Sequence, residues 1–561
     1  MKEIEDLIKE IANYNKYVFI NKVTTHYWDC VKKQSFDKSY NQFVRCATWL
    51  CYFASINDDN NSKHNITYHK IIFFTKKMWK ILELEYSSGE QAKSFLESFK
   101  EKVQEYKLYC KDNKKKDYIT ELLDTVEQQK LCRIYLNLHA QEDLRIKNGM
   151  IDIQYSYPIN VALTLFEKFI DKLDNKYIPN VTTNLKKVVF QEKIEFNNST
   201  NADKAECKSI GLRLHQILHF ILKIALEYQG VFSEENLYEA IDSTCNAMED
   251  TWKKELKDQV VKILESLSTT QGRIKDDFTK LKDYLVQNPN LLFQHNTFHK
   301  YPVLIIKTGQ TNTYYIPSPH IFLLICTLLV PNNIGKNIGK AYEQALGEGL
   351  EQHLIEFINF YKHSTNILNV SDINELYKKE SQNESHADIL IETEKYYFIV
   401  ECKNSFGLWN IYNKNKIDPQ SLHKVLHSWN RIYKAFDQCK GTQSNASLFS
   451  KKGKCIFKLL VVNEAVLGEI AGFFGFYHEK AFAKLGLEWG KTGCVSLVQF
   501  HNMIKAGALE EFANNISTKA KNMASGEIDI NKVIDVLNLF FPYYQDQSDA
   551  GEFFNEKILN F

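Results

Sequence analysis

The sequence has twelve cysteines and no Cys-x-x-Cys pair among them. That scatter removes the ligand spacing of a zinc ribbon and the framework of a disulfide scaffold, and it predicts reduced thiols in a cytoplasmic protein. An excess of charge is also missing: 70 Lys and Arg stand against 69 Asp and Glu, a net of +1. No global field therefore draws the chain to nucleic acid or to a membrane surface, and any such preference must be local. The longest apolar run, Ile321 to Val330, is about half of the ~20 residues that a membrane span requires. The first residues, Met1-Lys2-Glu3-Ile4-Glu5-Asp6, lack the apolar core of a signal peptide. No internal repeat is evident. A soluble protein without a membrane partner is the expectation.

What is present is a long, ordinary globular composition: 561 residues, 44% hydrophobic and 25% charged. At about 150 residues per domain such a chain divides into two to four units. Residues 1–290 carry few prolines and many Lys, Glu and Leu at helical spacing. Leu212 to Leu226, with apolar positions at 214, 217, 218, 221, 222 and 225, is a clear amphipathic stripe. Lys186 to Ile194, rich in Val, predicts a strand within this helical half. Residues 291–334 form a β/α junction: a hairpin from Tyr301 to Pro317, turning at Gly309-Gln310, leads into the Ile321 to Val330 helix and is expected to pack against the domain C-terminal to it. Residues 335–510 read as that domain, of α/β type, and 511–561 as a C-terminal helical tail.

The most informative stretch is Glu384 to Asn404. Two runs of β-branched and aromatic residues, Asp388 to Ile391 and Tyr396 to Cys402, flank a polar turn at Glu392 to Lys395, the pattern of a β-hairpin. Side chains on a strand alternate between its faces, so Glu401 and Lys403 project together while Val400 and Cys402 project the other way. The hairpin brings Asp388 on the partner strand close to both. Two carboxylates and an amine around one point can hold a hard cation and act on water. The competing reading is a solvated Glu401–Lys403 pair on an edge strand, with the lysine discouraging edge-to-edge association.

Asp388 followed by Glu401-Cys402-Lys403 at the end of an apolar strand resembles the signature of the PD-(D/E)XK nuclease superfamily, with Ala387 where the name-giving proline would stand. The resemblance covers about residues 335 to 465. It implies a restriction-endonuclease-like core, a mixed β-sheet flanked by helices, beside a mainly α-helical N-terminal half. It also implies Asp388, Glu401 and Lys403 as catalytic residues, and Mg²⁺ or Mn²⁺ held by Asp388 and Glu401. In this superfamily the preceding helix often carries a Glu at its N-terminal end. Gly339-Lys340-Ala341-Tyr342-Glu343 fits that context, and at 100° per residue Glu343 falls at the centre of the face formed by Leu346, Leu350, Leu354, Phe357 and Tyr361. A carboxylate in a buried stripe is costly unless compensated, which makes Glu343 a third candidate metal ligand. The alternative is a first-turn Glu favoured by the helix dipole. Glu351 lies at the border of that stripe. Gly347 and Gly349 predict close packing of the helix against the sheet.

Residues 404–458 carry ten basic and two acidic side chains, a local net of +8 in a balanced chain. Lys414, Lys416, Lys424, Arg431, Lys434, Lys451 and Lys452 are the candidate phosphate contacts, since such a block beside candidate metal carboxylates suits a polyanion. A solvated Lys-rich face explains the same charges without a substrate. The superfamily often places a Gln on the following helix. Gln438 is the candidate, but its phase opposes the apolar stripe of Leu422 to Phe436, which leaves it outside the expected site.

The implied activity is a metal-dependent endonuclease-like phosphodiesterase acting on nucleic acid, DNA ahead of RNA, with a defence or restriction role fitting an enzyme that needs restraint inside a cell. The helical half would then regulate, oligomerise or recognise the target. Two alternatives remain open: a catalytically silent nuclease fold serving as a nucleic-acid-binding scaffold, and a metal-independent ribonuclease in the helical half. The second rests on Arg213 and His219, an Arg-x5-His spacing like that of HEPN ribonucleases, and the same spacing recurs from Arg133 to His139. His215 and His219 are four apart and could share a metal, but no third ligand stands nearby.

Overall fold

The β-branched alternation of residues 389 to 403 forms the centre of a five-stranded sheet in the computed structural model of the chain. The structure describes residues 2–32, 38–57, 64–87, 89–117, 157–190, 203–244, 250–287, 296–308, 311–319, 321–323, 325–327, 338–373, 375, 386–403, 430, 434–445, 453–462, 488 and 490–524. Its helices and two mixed sheets make it a mixed α/β protein.

The first sheet belongs to the helical half. Strands β1 (Val231–Ser233), β2 (Ser268–Thr269), β3 (Val303–Thr308) and β4 (Thr311–Tyr315) lie in the order β1-β4-β3-β2. The hairpin expected around Gly309-Gln310 is therefore β3 and β4, paired antiparallel from Leu304–Tyr315 to Thr308–Thr311. Its free edges are taken by strands from the helical half, β1 on β4 and β2 on β3. That pairing makes the hairpin part of a sheet with the helical half, because unsatisfied edge amides recruit whichever strands lie alongside. The strand expected over Lys186 to Ile194 is corrected for residues 186–190, because Ile178–Phe190 is an α-helix, and residues 191–194 lie outside the described residues. Val181, Leu185 and Val189 are buried along one side of it, and burial of a 3.6-period stripe outweighs the modest strand preference of valine. Within the Ile321 to Val330 run, residues 321–323 and 325–327 are helical, and the remainder lies outside the described residues.

Helix α1 (Tyr157–Lys172) packs against both helix α2 (Lys204–Glu227) and helix α3 (Lys340–Tyr361). Asp203 caps α2 by accepting the Glu206 N–H, and Leu214, Ile217, Leu218, Ile221, Leu222 and Ala225 are buried as the stripe requires. Among the described residues, α2 is the one helix long and apolar enough to cross a membrane, and most of it is buried inside the protein. The small residue on α3 that allows a close approach is Gly349, where a Cβ would meet backbone atoms of Phe169 and Lys168 at 3.2 and 3.3 Å. The close packing expected of the glycines is thus against α1 rather than the sheet, and Gly347 has open space beside it. The Lys168–Glu356 ion pair and the edge-on Phe169–Tyr342 rings tie the same two helices.

The second sheet has the order β5-β6-β7-β8-β9, from β5 (Ile367–Asp372), β6 (Ile389–Thr393), β7 (Tyr396–Lys403), β8 (Cys455–Val462) and β9 (Thr492–Ser496). β5, β6 and β7 pair antiparallel, whereas β7, β8 and β9 run parallel. One face carries Ile389, Ile391, Phe398, Val400, Phe457 and Leu459, which join α3 and helices α4 (Leu497–Lys505) and α5 (Leu509–Ala524) in the main core. Phe512 of α5 lies against Phe457, and a Cβ at Gly493 would collide with it. The other face carries Leu390, Tyr397 and Ile399, which pack with Ala387 and with Cys439 of the helical stretch 434–444. Among the described residues no cysteine forms a disulfide.

Candidate active site at the end of the central strands

The antiparallel register pairs Ile389 with Val400, so Asp388, one step further, stands opposite Glu401. Asp388 is fixed through its backbone on both sides. Its N–H donates to Val400 O at 3.1 Å, and its carbonyl accepts the Ile373 N–H at 3.0 Å. Its side chain is fixed too, since Oδ2 accepts the Cys402 N–H at 2.7 Å. Glu401 and Lys403 share the face that period-two alternation assigns them, and Lys403 Nζ donates to Glu401 Oε1. Glu401 is fully buried, and its second oxygen, Oε2, has no hydrogen-bond partner. A solvated pair on an edge strand is excluded by these facts, because β7 is the central strand of five.

Burial is the first cause of an upward pKa shift at Glu401, to about 8, and the neighbouring Asp388 carboxylate adds to it while Lys403 opposes it. Asp388 is itself raised by burial, with Lys403 and the Cys402 N–H pulling the other way. Burial alone would lower Lys403, but Glu401 and Asp388 more than offset this and leave it raised. The three groups favour a shared arrangement of protons and charge that none would adopt alone.

Glu351 is the residue that sequence reasoning left at the border. It is half-buried on α3, and its pKa is pushed up to about 8, first by burial and then by Asp388 and Asp372, with Lys403 opposing. Asp372 ends β5 and pairs with Ile389, which places it on the sheet face that α3 covers. Four carboxylates and one lysine thus influence one another at the end of the sheet. Glu343 is not among them. It sits exposed in the first turn of α3, which corrects the expectation that it is buried at the centre of the apolar face. Leu350, Leu354, Phe357 and Tyr361 of that face are buried, but in the first turn the buried side chain is Tyr342, next to Glu343. Glu351 lies eight residues on, about 12 Å further along the axis. The exposed position agrees with the helix-dipole reading of Glu343.

Gln438, excluded on helical phase, approaches the same place. Its Nε2 donates to His386 O at 3.1 Å, directly upstream of Asp388. Phase misleads here because 434–444 packs on one side against the sheet, through Cys439, and on another against the 386–387 segment. No sequence signal short of the fold itself distinguishes those two contacts.

Of the candidate phosphate contacts, Lys434 is exposed on this helical stretch. Lys414, Lys416, Lys424, Arg431, Lys451 and Lys452 lie outside the described residues. Two further lysines of the basic block have other duties. Lys454 bonds Glu392 Oε1 at 2.7 Å and Thr393 O at 2.6 Å. Lys458 is buried on β8, and burial lowers its pKa. Part of the +8 therefore belongs to the sheet rather than to a surface that could meet phosphates.

In the helical half, Arg213 Nε donates to Gln259 Oε1 at 3.0 Å, and Gln259 is itself buried. His215 is buried and bonded to Gly211 O, and burial pushes His219 down to about 4. Arg213 thus joins α2 to the 250–266 helix, whereas His215 bonds within α2 itself. The Arg133 to His139 repeat of the spacing lies outside the described residues.

The donor set at the sheet end consists of oxygen atoms only, which suits Mg²⁺ or Mn²⁺ rather than a softer ion. As the side chains stand, no group of three or more His, Cys, Asp or Glu among the described residues forms a ready metal-ligand set. Asp388 has one oxygen on the Cys402 amide and Glu401 has one on Lys403. The unbonded, buried Oε2 of Glu401 is nevertheless a site where a cation would remove an energetic cost. Compared with known proteins, the chain matches no family model, no curated protein and no solved structure.

Proposed function

We propose that this protein is a metal-dependent phosphodiesterase acting on nucleic acid, DNA ahead of RNA, with a restriction-endonuclease-like core formed by the five-stranded sheet and its helices. One observation carries the reading: a fully buried glutamate with an unbonded oxygen, on a central strand, beside a lysine and a second carboxylate. Such a cluster costs stability and is retained where it does chemistry. Asp388 and Glu401 would hold the cation, with Glu351 in place of Glu343 as the acid supplied by the helix. When bound, a divalent ion acidifies water and offsets charge on the phosphate oxygens. Lys403, held by Glu401, supplies a fixed positive charge for the phosphorane-like transition state or orients the attacking water. Asp388, held by the Cys402 amide, keeps its remaining oxygen directed by a backbone that cannot turn. A role in defence or restriction, and a regulatory or oligomerising role for the helical half, belong to the same proposal.

The test compares wild type with Asp388→Ala on plasmid, linear, single-stranded and RNA substrates with Mg²⁺ or Mn²⁺, with and without EDTA. Cutting that needs the divalent ion and is lost in Asp388→Ala is expected. Equal cutting by both proteins, or cutting that survives EDTA, would move the chemistry away from the sheet. The helix acid gives a sharper comparison. Glu351→Gln is expected to lower cleavage roughly 10- to 100-fold, as losing a group that tunes a metal site does, and Glu343→Gln to change it less than about twofold, as exposed substitutions do. Kinetics of the two variants on one substrate would show whether the order is reversed.

A further inference from the structure

The residue before Asp388 is held in an unusual way. The peptide unit that joins His386 to Ala387 has two polar groups, the His386 carbonyl and the Ala387 N–H, and side chains one helical turn apart on 434–444 engage both. Gln438 Nε2 donates to the carbonyl at 3.1 Å, and Thr442 Oγ1 accepts the N–H at 2.8 Å. Thr442 and Ala387 are both fully buried. The Thr442 hydroxyl gives its own proton to Gln438 O at 3.2 Å, which turns a lone pair toward Ala387 and fixes its role as acceptor. The next amide along, that of Asp388, is already bonded to Val400 O. Two successive peptide planes are thus pinned, and the Asp388 side chain leaves the chain from a backbone with little freedom.

We propose that Thr442 is a positioning residue for Asp388, acting through the Ala387 amide. A proline at 387 would fix the backbone dihedral and carry no N–H. Alanine does neither, so it leaves a buried donor that needs a partner and a torsion that needs restraint. The Thr442 hydroxyl answers both needs from a neighbouring element, with Gln438 completing the grip. Positioning of this kind matters because a carboxylate displaced by even about 1 Å loses much of its value to a reacting centre. The inference rests on the nuclease reading only for the use to which Asp388 is put. The grip itself can be measured without cleavage.

Thr442→Val keeps the shape and removes the acceptor, whereas Thr442→Ser keeps the acceptor and removes a methyl group. Hydrogen–deuterium exchange at the Cys402 amide reports on Asp388, whose Oδ2 it engages, and the Leu460 amide on β8 serves as the reference. In the full chain, Thr442→Val is expected to speed Cys402 exchange by about tenfold with Leu460 unchanged, and to weaken Mn²⁺ binding by about tenfold in calorimetric titration. Thr442→Ser should stay within about twofold of wild type on both measures. Equal acceleration at Cys402 and Leu460 would mean general loosening and would overturn the proposal. So would a serine variant as impaired as the valine one, or a valine variant matching wild type. If wild type itself takes up no Mn²⁺, the metal reading of the site fails, and the exchange comparison still decides the role of Thr442.

Discussion

Glu401→Gln is expected to lower divalent-dependent cleavage by roughly 10³-fold or more, about 4 kcal/mol of transition-state stabilisation. The substitution preserves volume on a fully buried position of the central strand, so the sheet has no cavity to close. What it removes is the negative charge. Two losses result together. The site loses the oxygen donor that has no partner within the protein, and Lys403 loses the principal charge that raises its pKa. Substrate binding that depends on surface lysines such as Lys434 should be spared, so the loss is expected in kcat rather than KM. Measuring both parameters at saturating Mg²⁺ checks this. Cleavage within a few-fold of wild type would remove Glu401 from the chemistry.

The second large effect is on stability. Glu401 and Glu351 are both raised from about 4.5 to about 8 in the folded protein. Between those values the folded state keeps protons that the unfolded chain has released. Stability is therefore expected to fall as pH rises from about 4.5 to about 8 and to level off above that range. The total across the window is on the order of 5 kcal/mol for a single such group, and the two are linked through Asp388, so their contributions do not simply add. Addition of Mg²⁺ or Mn²⁺ should flatten the decline, because a cation offsets the same charges that protons offset. Glu401→Gln should flatten it without metal. Urea unfolding midpoints from pH 5 to 9, for wild type with and without Mg²⁺ and for Glu401→Gln, give the comparison. A wild-type midpoint that is constant or rises across this range would show that the carboxylates ionise without penalty, and the site would then hold no strain for a cation to relieve.

The hairpin was legible because its signal is local. Alternating β-branched and aromatic residues from 396 to 403 state which side chains share a face, and the pairing of Glu401 with Lys403 comes from that alone. The β8 strand, Cys455–Val462, carries the same local signal, a run rich in aliphatic and aromatic residues. The helix acid was not. Periodicity gives the angle of a side chain around a helix axis and says nothing of which turns are covered, so it did not show that Glu343 is exposed while Glu351 is half-buried and raised by Asp388 and Asp372. The helix at 178–190 was missed because valine favours strands only weakly, and packing against α2 and the 250–266 helix decides otherwise.

Reading residues in order was enough to establish that a lysine and a glutamate project together from a buried strand with an aspartate within reach, since alternation along a chain needs no knowledge of the rest of the molecule. Three matters were left to the packing of the folded chain: which helix carboxylate joins them, that Gln438 and Thr442 hold the peptide before Asp388, and that Lys454 and Lys458 serve the sheet. Those contacts join segments tens of residues apart, and their distances are set by how sheets and helices stack rather than by any spacing along the chain.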